Sequence, residues 1–318
     1  MGVPILPGMI LHCGEALIDF IPVKDAEGDN AYKPAPGGSP YNSSIASARL
    51  GARSLFLGRI STDFFGDQLI KNLEANGVDT SNVVRSDQPS TLAFVKKTPS
   101  GEARYAFFVT DAADRGLLPG DIPAPLPEGV SCIQLGSISL IPDPVSSTIL
   151  EFVEREAERR VISFDPNVRT VLVEDEADYR RRIERALRSA TIVKISDEDL
   201  EWLMPGTPLE RAAQELLAGR AALVVVTRGA DGAIGAIRNA LVEVEGVPTD
   251  VSDTVGAGDS FHSGLLVWLS RKKKLTHQAL SELSTEELEE MLRFATRVAA
   301  KTCSRPGADP PYLREVNG

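Results

Sequence analysis

The sequence predicts an α/β protein: a doubly wound, mainly parallel sheet flanked by helices, with a small second β-sheet standing off it. Three observations predict it. From residue 130 onward short apolar runs alternate with amphipathic stretches, so that 130–137, 161–164 and 191–195 read as strands and 144–159 and 177–189 as the helices between them. Such alternation marks parallel βαβ winding. The run Leu223-Val-Val-Val-Thr227 is β-branched with no polar alternation, as a strand buried on both faces must be. Finally, 90–97 and 102–109 are β-rich runs joined by Thr98-Pro-Ser-Gly101, a hairpin signal that a βαβ wind has no place for.

A chain of 318 residues suits one α/β unit spanning 1–318 with an excursion, here strands of the second sheet inserted at about 19–34 and 90–110. Hydrophobic residues at 42% and charged residues at 25% are ordinary for a globular enzyme. A formal net charge of -11 argues against a nucleic-acid partner, although a local basic pocket remains compatible with it. Cys13, Cys132 and Cys303 are odd in number and widely spaced, which fits small buried side chains rather than disulfides or a metal site. The opening Met-Gly-Val-Pro-Ile-Leu-Pro-Gly lacks a basic leader, Leu6 stands where a myristoylation motif needs Ser or Thr, and no apolar run approaches a membrane span. The expectation is a cytoplasmic protein without a membrane partner.

In chain order, 9–20 reads as a buried strand interrupted by Glu15 and Asp19. Buried acids need partners, so a ligand and a structural pairing both stand for Glu15. Gly37-Gly38-Ser39-Pro40-Tyr41-Asn42 precedes a helix over 43–50 that stops at Gly51. Gly38 allows close backbone approach, and Asn42 offers a donor and an acceptor to a hydroxyl or caps the helix. A strand at 53–60 and a helix at 66–76, closed by Gly77, follow. Asp165-Pro-Asn167-Val-Arg169 and Lys194-Ile-Ser196-Asp-Glu-Asp199 end later strands, where α/β ligands bind. Turn formation explains Asp165 equally well, and Ser196 with Asp199 also makes a capping box. Another capping box, Ser284-Thr-Glu-Glu287, opens a helix reaching about Cys303.

The stretch around which the rest is organised is Asp253-Thr-Val-Gly-Ala-Gly-Asp-Ser-Phe261. Phe261, Leu265 and Leu269 recur every fourth residue, so Gly256, Ala257, Gly258 and Asp259 form the first turn of a buried helix. The free N–H groups and positive dipole end of such a turn hold anions. A carboxylate in the same turn, Asp259, is placed to take a proton from an alcohol beside that anion. That is the arrangement phosphoryl transfer to a hydroxyl needs, while a plain turn at Gly256 and Gly258, with Asp259 only complementing the helix dipole, explains the same residues equally well.

DTVGAGDSF closely resembles the C-terminal signature of the ribokinase-like (PfkB) sugar kinase family, and GGSPYNSSIASARLGA resembles its N-terminal signature. GEALIDFIP together with GGSPYN looks most like the fructokinase branch, although 2-keto-3-deoxygluconate kinases share much of it. The resemblance covers nearly the whole chain. It implies that Asp259 is the catalytic base, that the amides of Gly256, Ala257 and Gly258 form the anion hole, and that Asp19, Gly38 and Asn42 bind the sugar. The D-P-N-x-R string adds Asn167 and Arg169 to the substrate set. Thr227, Gly229 and Gly232 match a V-T-x-G-x-x-G nucleotide stretch, with Lys194 and Thr254 as further ATP contacts and Pro306-Gly-Ala308 as an adenine-side loop.

Relatives usually carry Asn-x-x-Glu for hydrated Mg²⁺ where this chain has Ser196 and Asp199. Asp199 is therefore the Mg²⁺ candidate through water, and Asp253 a candidate for K⁺. The small sheet is expected to act as a substrate lid, with Tyr105 and Phe107 facing the sugar or packing the sheet, and to join a homodimer. The implied activity is ATP-dependent phosphorylation of a sugar, most like fructose. A 2-keto-3-deoxygluconate or nucleoside kinase, and a non-catalytic sugar sensor, are the alternatives.

Overall fold

In the computed structural model, which describes residues 8–97 and 103–316, the chain opens with β1 (Met9–Cys13), β2 (Leu17–Lys24), β3 (Asn30–Gly37) and α1 (Ser39–Arg49). Next come β4 (Arg53–Ser61), α2 (Phe64–Ala75), β5 (Val83–Ser86), β6 (Thr91–Lys97) and β7 (Ala103–Phe108). The wound half follows as β8 (Val130–Gly136), α3 (Val145–Glu156), β9 (Val161–Asp165), α4 (Glu176–Ser189), β10 (Ile192–Ser196), α5 (Asp197–Leu203), α6 (Leu209–Leu217) and β11 (Leu223–Thr227). An antiparallel pair, β12 (Ala233–Ile237) and β13 (Ala240–Val244), leads to α7 (Ala257–Arg271), α8 (His277–Ser281), α9 (Thr285–Cys303) and α10 (Leu313–Val316).

Nine strands form the main sheet in the order β13-β12-β11-β10-β9-β8-β1-β4-β5, parallel from β11 to β5. β12 and β13 close one end antiparallel. Side chains of one strand alternate between two apolar layers, as a doubly wound sheet requires. Leu11, Ile133, Val193 and Val224 pack under α3 and α4 on one face, while Ile10, Cys132, Ile192 and Val225 pack under α7 and α9 on the other. The α4 residues Tyr179, Ile183 and Ala186 fall on one helical stripe and are buried. The predicted cap of α9 is present: Ser284 accepts the Glu287 N–H and Glu287 reaches back to the Ser284 N–H.

The small sheet has the order β3-β2-β6-β7, with β2 parallel to β6 and the other pairs antiparallel. The turn at 98–101 that joins β6 to β7 lies outside the described residues. Aromatic rings cover part of this sheet: Phe20 stacks on Phe94 at 4.4 Å, and Tyr32 and Phe108 meet Phe94 edge-on.

Two expectations are corrected here. The apolar run 9–20 is two strands in two sheets, broken at Gly14. There φ is +148°, and a Cβ would lie 2.6 Å from Ser139 Oγ and 2.7 Å from Pro40 Cγ. Only glycine lets the chain turn from one sheet into the other at that point. Likewise α1 starts at Ser39 rather than residue 43, because Gly38 at φ +109° ends the strand and Pro40 suits a first helical turn. Asn42 is consequently inside the helix and caps nothing. All three cysteines are free, Cys13 and Cys132 being buried. Among the described residues no helix is long and apolar enough to cross a membrane.

Candidate functional site

The chain leaves β1 toward β4 on one side and comes back to β8 on the other, so β1 and β8 flank the topological switch of the main sheet. Ligands of open α/β sheets bind at such switches, beyond the carboxyl ends of the strands. A cavity of about 290 Å³ lies there. It gathers Asp19, Gly38 and Asn42 from the β2–α1 segment and Asn167, Arg169 and Lys194 from the ends of β9 and β10. Thr254, Gly256, Gly258 and Asp259 close it from the start of α7.

Asp259 is buried and held by two donors. The Ser39 hydroxyl donates to Oδ1 at 2.6 Å and the Asn42 amide to Oδ2 at 3.0 Å. Burial holds its carboxyl above the usual carboxylate range, offset in part by those two bonds. One turn of helix carries both this acid and backbone amides without acceptors. No side chain caps α7, and among the described residues the N–H groups of Gly256, Gly258 and Asp259 meet no acceptor. Ala257 differs from expectation, since its N–H donates to Thr254 O at 3.2 Å. Gly256 sits at φ +75° with Ala308 2.8 Å from where a Cβ would be, so the loop after α9 packs directly on the motif.

Lys194 Nζ donates to Asp165 Oδ2 at 2.8 Å, and both side chains are almost inaccessible, at 5% and 2%. The ammonium lies 3.2 Å from the position a Gly258 Cβ would take. A cation is thereby fixed at the positive end of α7. The second oxygen of Asp165 is buried and without a partner. Beside it Gly136 has φ +152°, and a Cβ there would fall 1.7 Å from Asp165 O. Ser137 at φ +61° and Asn167 at φ +40° also hold left-handed backbone, a concentration of strain that is common where side chains are aimed at ligands.

Asp19 faces the same space. Burial raises its carboxyl to about 6, with the Arg169 guanidinium pulling it down and the Asp259 carboxylate pushing it up. Its Oδ2 occupies the volume a Cβ on Gly37 would need, at 2.2 Å, so the first glycine of the pair makes room for the acid. Phe107 lines the cavity from β7; the Tyr105 side chain lies outside the described residues.

Five predicted positions stand apart from the cavity or do other work. Thr227 ends β11 beside Ser196 of β10, and Gly229 and Gly232 shape the turn after it at φ +53° and +91°. Asp199 accepts the Val168 N–H at 3.1 Å and so braces the Asn167–Arg169 loop, while its own N–H is capped by Ser196. Asp253 accepts the Val255 and Gly307 N–H groups, each at 3.1 Å, latching the motif to the loop after α9.

The residue reading does not point to Ser39, which binds Asp259, or to Ser137, which lines the cavity; Glu15, for which a ligand and a structural pairing both stand, lines it too. Ser39 and Asn42 are three apart and share one helix face. That spacing was the available signal.

Residues 8–314 match the model of the pfkB family carbohydrate kinases. The chain is 39% identical over 280 residues to a fructokinase of Rhizobium leguminosarum bv. trifolii, covering 88% of this chain and 85% of that one. Its fold superposes with a TM-score of 0.89 on the crystal structure of fructokinase with bound ATP from Xylella fastidiosa, at 30% identity and with 97% of each chain covered. A double mutant of the fructokinase from Vibrio cholerae O395, in its fructose, ADP and potassium ion bound form, superposes at 0.84 with 28% identity, over 96% of this chain and 95% of that one.

Proposed function

We propose, since the chain belongs to the pfkB family of carbohydrate kinases and is an ATP-dependent sugar kinase, that its acceptor is fructose and its base Asp259. The observation that carries the second part is the buried Asp259 carboxylate in the same helical turn as the unpaired amides of Gly256 and Gly258. A primary hydroxyl of the sugar lies against Asp259, which takes its proton as the oxygen bonds to the γ-phosphorus and ADP departs in line. The Gly256 and Gly258 amides meet the developing phosphoryl charge, with Lys194 beside them. Arg169 and Asp19 orient the sugar, together with Asn167, Gly38 and the Asn42 carbonyl. Thr227, Gly229, Gly232 and Thr254 take the nucleotide side.

The oxygen donors near Lys194 suit a hydrated Mg²⁺. Asp165 has an unpartnered oxygen, and Asp199 stands close enough for the Asp165 charge to raise its carboxyl. Bound there, the ion neutralises phosphate charge. Asp253 fits K⁺ less well, because both of its oxygens already take backbone N–H groups. The small sheet serves as the lid that keeps water from the phosphoryl group. Its half-exposed Tyr32 and Phe108 offer an aromatic face to a second copy of the chain.

Release of ADP from ATP and Mg²⁺ across fructose, 2-keto-3-deoxygluconate, ribose and adenosine tests the acceptor. Fructose is expected to give the highest kcat/KM. A higher value for another sugar reassigns the acceptor and leaves the base, whereas silence on all four overturns fructose and moves the acceptor to a sugar outside the panel.

The pH dependence follows from Asp19. Only the ionised carboxylate accepts sugar hydroxyls at both oxygens, so kcat/KM for the sugar is expected to fall as pH drops through about 6. Asp19→Asn should remove that acidic limb and leave a low, flatter profile. An unchanged limb in the variant would assign it elsewhere.

A further inference from the structure

Glu15 sits in the three-residue crossing between β1 of the main sheet and β2 of the small one, at 1% exposure. Its Oε1 accepts the Ser39 N–H at 3.0 Å, and its Oε2 accepts the Ser139 hydroxyl in a short hydrogen bond. Its own N–H donates to Ser139 Oγ at 2.8 Å. The Ser137 hydroxyl is a further partner of the carboxylate, and of these groups the Ser39 N–H can act only as a donor. Glutamine can still accept the Ser39 N–H but must donate with its other end, so the Ser139 hydroxyl would have to turn round to accept and the crossing would be held differently.

The place of these bonds matters more than their number. The β2–β3 hairpin departs from the body after Ala16 and rejoins it at Gly37, where Leu17 pairs with Gly37. Gly38 packs so tightly that a Cβ would be 2.7 Å from Glu15 O. One carboxylate therefore clasps both roots of the hairpin and anchors them to the turn that follows β8. Ser39, whose N–H it holds, is the residue whose hydroxyl holds Asp259 Oδ1 at 2.6 Å. A buried line runs Ser139, Glu15, Ser39, Asp259.

No ion pair with Lys, Arg or His is made by Glu15 among the described residues, and burial pushes its carboxyl up to about 7 despite the hydrogen bonds. An acid so placed costs stability, and a neutral core would be cheaper for holding two sheets together. We propose that Glu15 is a positioning residue for the phosphoryl transfer: it fixes the hairpin root so that Ser39 keeps the Asp259 carboxylate aimed at the acceptor hydroxyl. This rests on the reading of Asp259 as the base.

The test uses the full chain with fructose, ATP and Mg²⁺, comparing Glu15→Gln, Ser139→Ala and Asp259→Asn for kcat, KM of ATP, fructose Kd by calorimetry, and Tm. Glu15→Gln is expected to lower kcat by about 10- to 100-fold, the size of effect a displaced reacting group produces, with fructose Kd and the KM of ATP nearly unchanged. Ser139→Ala should show a smaller loss of the same kind, and it decides the matter if Glu15→Gln fails to fold. Lower Tm with kcat intact in both variants would make Glu15 a purely structural clasp and overturn the proposal. Asp259→Asn separates the two readings. If it is inactive while Glu15→Gln keeps full kcat, the positioning role alone falls; if it stays active, both fall.

Discussion

Asp259→Asn is expected to lower kcat by about 1,000-fold, within the span a positioned general base contributes, with fructose affinity nearly retained. The substitution is unusually clean at this site. Asparagine keeps the volume, its carbonyl still accepts from one of the two donors that hold Asp259, and the Ser39 hydroxyl can turn to accept at the other end. What is lost is the ability to take a proton. Asp259→Ala would be harder to read, because it leaves the buried Ser39 hydroxyl and Asn42 amide without partners and lowers stability as well. Steady-state ADP release and sugar titration on the asparagine variant decide the point, and turnover within tenfold of the parent would remove Asp259 from the base role.

The second large effect is on stability. Lys194→Met is expected to destabilise the fold by about 3–5 kcal/mol, the usual cost of removing one partner from a buried ion pair. Among the described residues Asp165 has no other counter-ion in contact, and its other oxygen is already unpartnered. Adding Asp165→Leu should recover much of the loss, since an apolar pair of similar volume tolerates the dry interior better than a lone charge. Activity should not return with stability, because the cation beside Gly258 is gone in both. Denaturant midpoints for the two variants measure this. A Lys194→Met protein within about 1 kcal/mol of the parent would mean that solvent reaches the pair.

The parts of this protein that were legible in its sequence are those whose cause is local. β11 is a strand because five consecutive residues suit nothing else, and the α9 cap is written in Ser284 and Glu287. The free amides of Gly256 and Gly258 and the acid at Asp259 lie within one helical turn. Illegible features depend on what meets them from afar. The break at Gly14 is hidden in an apolar run because its cause is Pro40 and Ser139. Asn42 was read toward the sugar, yet its amide is turned onto a carboxylate 217 residues away. Asp253 was read as a cation ligand from its place in the motif, and the Gly307 N–H that it grips belongs to a loop after α9.

The pairing of α1 with α7 also bears on how the protein comes into being. Ser39 and Asp259 are separated by 220 residues, and the face of the main sheet under α7 stays bare until that helix has been made. Contacts of such sequence separation form late and slow the search for the native state. During synthesis, then, β1 and α1 emerge well before α7 and wait for it with apolar surface uncovered and prone to aggregate. Asp259 and the Ser39 and Asn42 groups that hold it should come together in refolding as one event rather than by stages, because they are 220 and 217 residues apart.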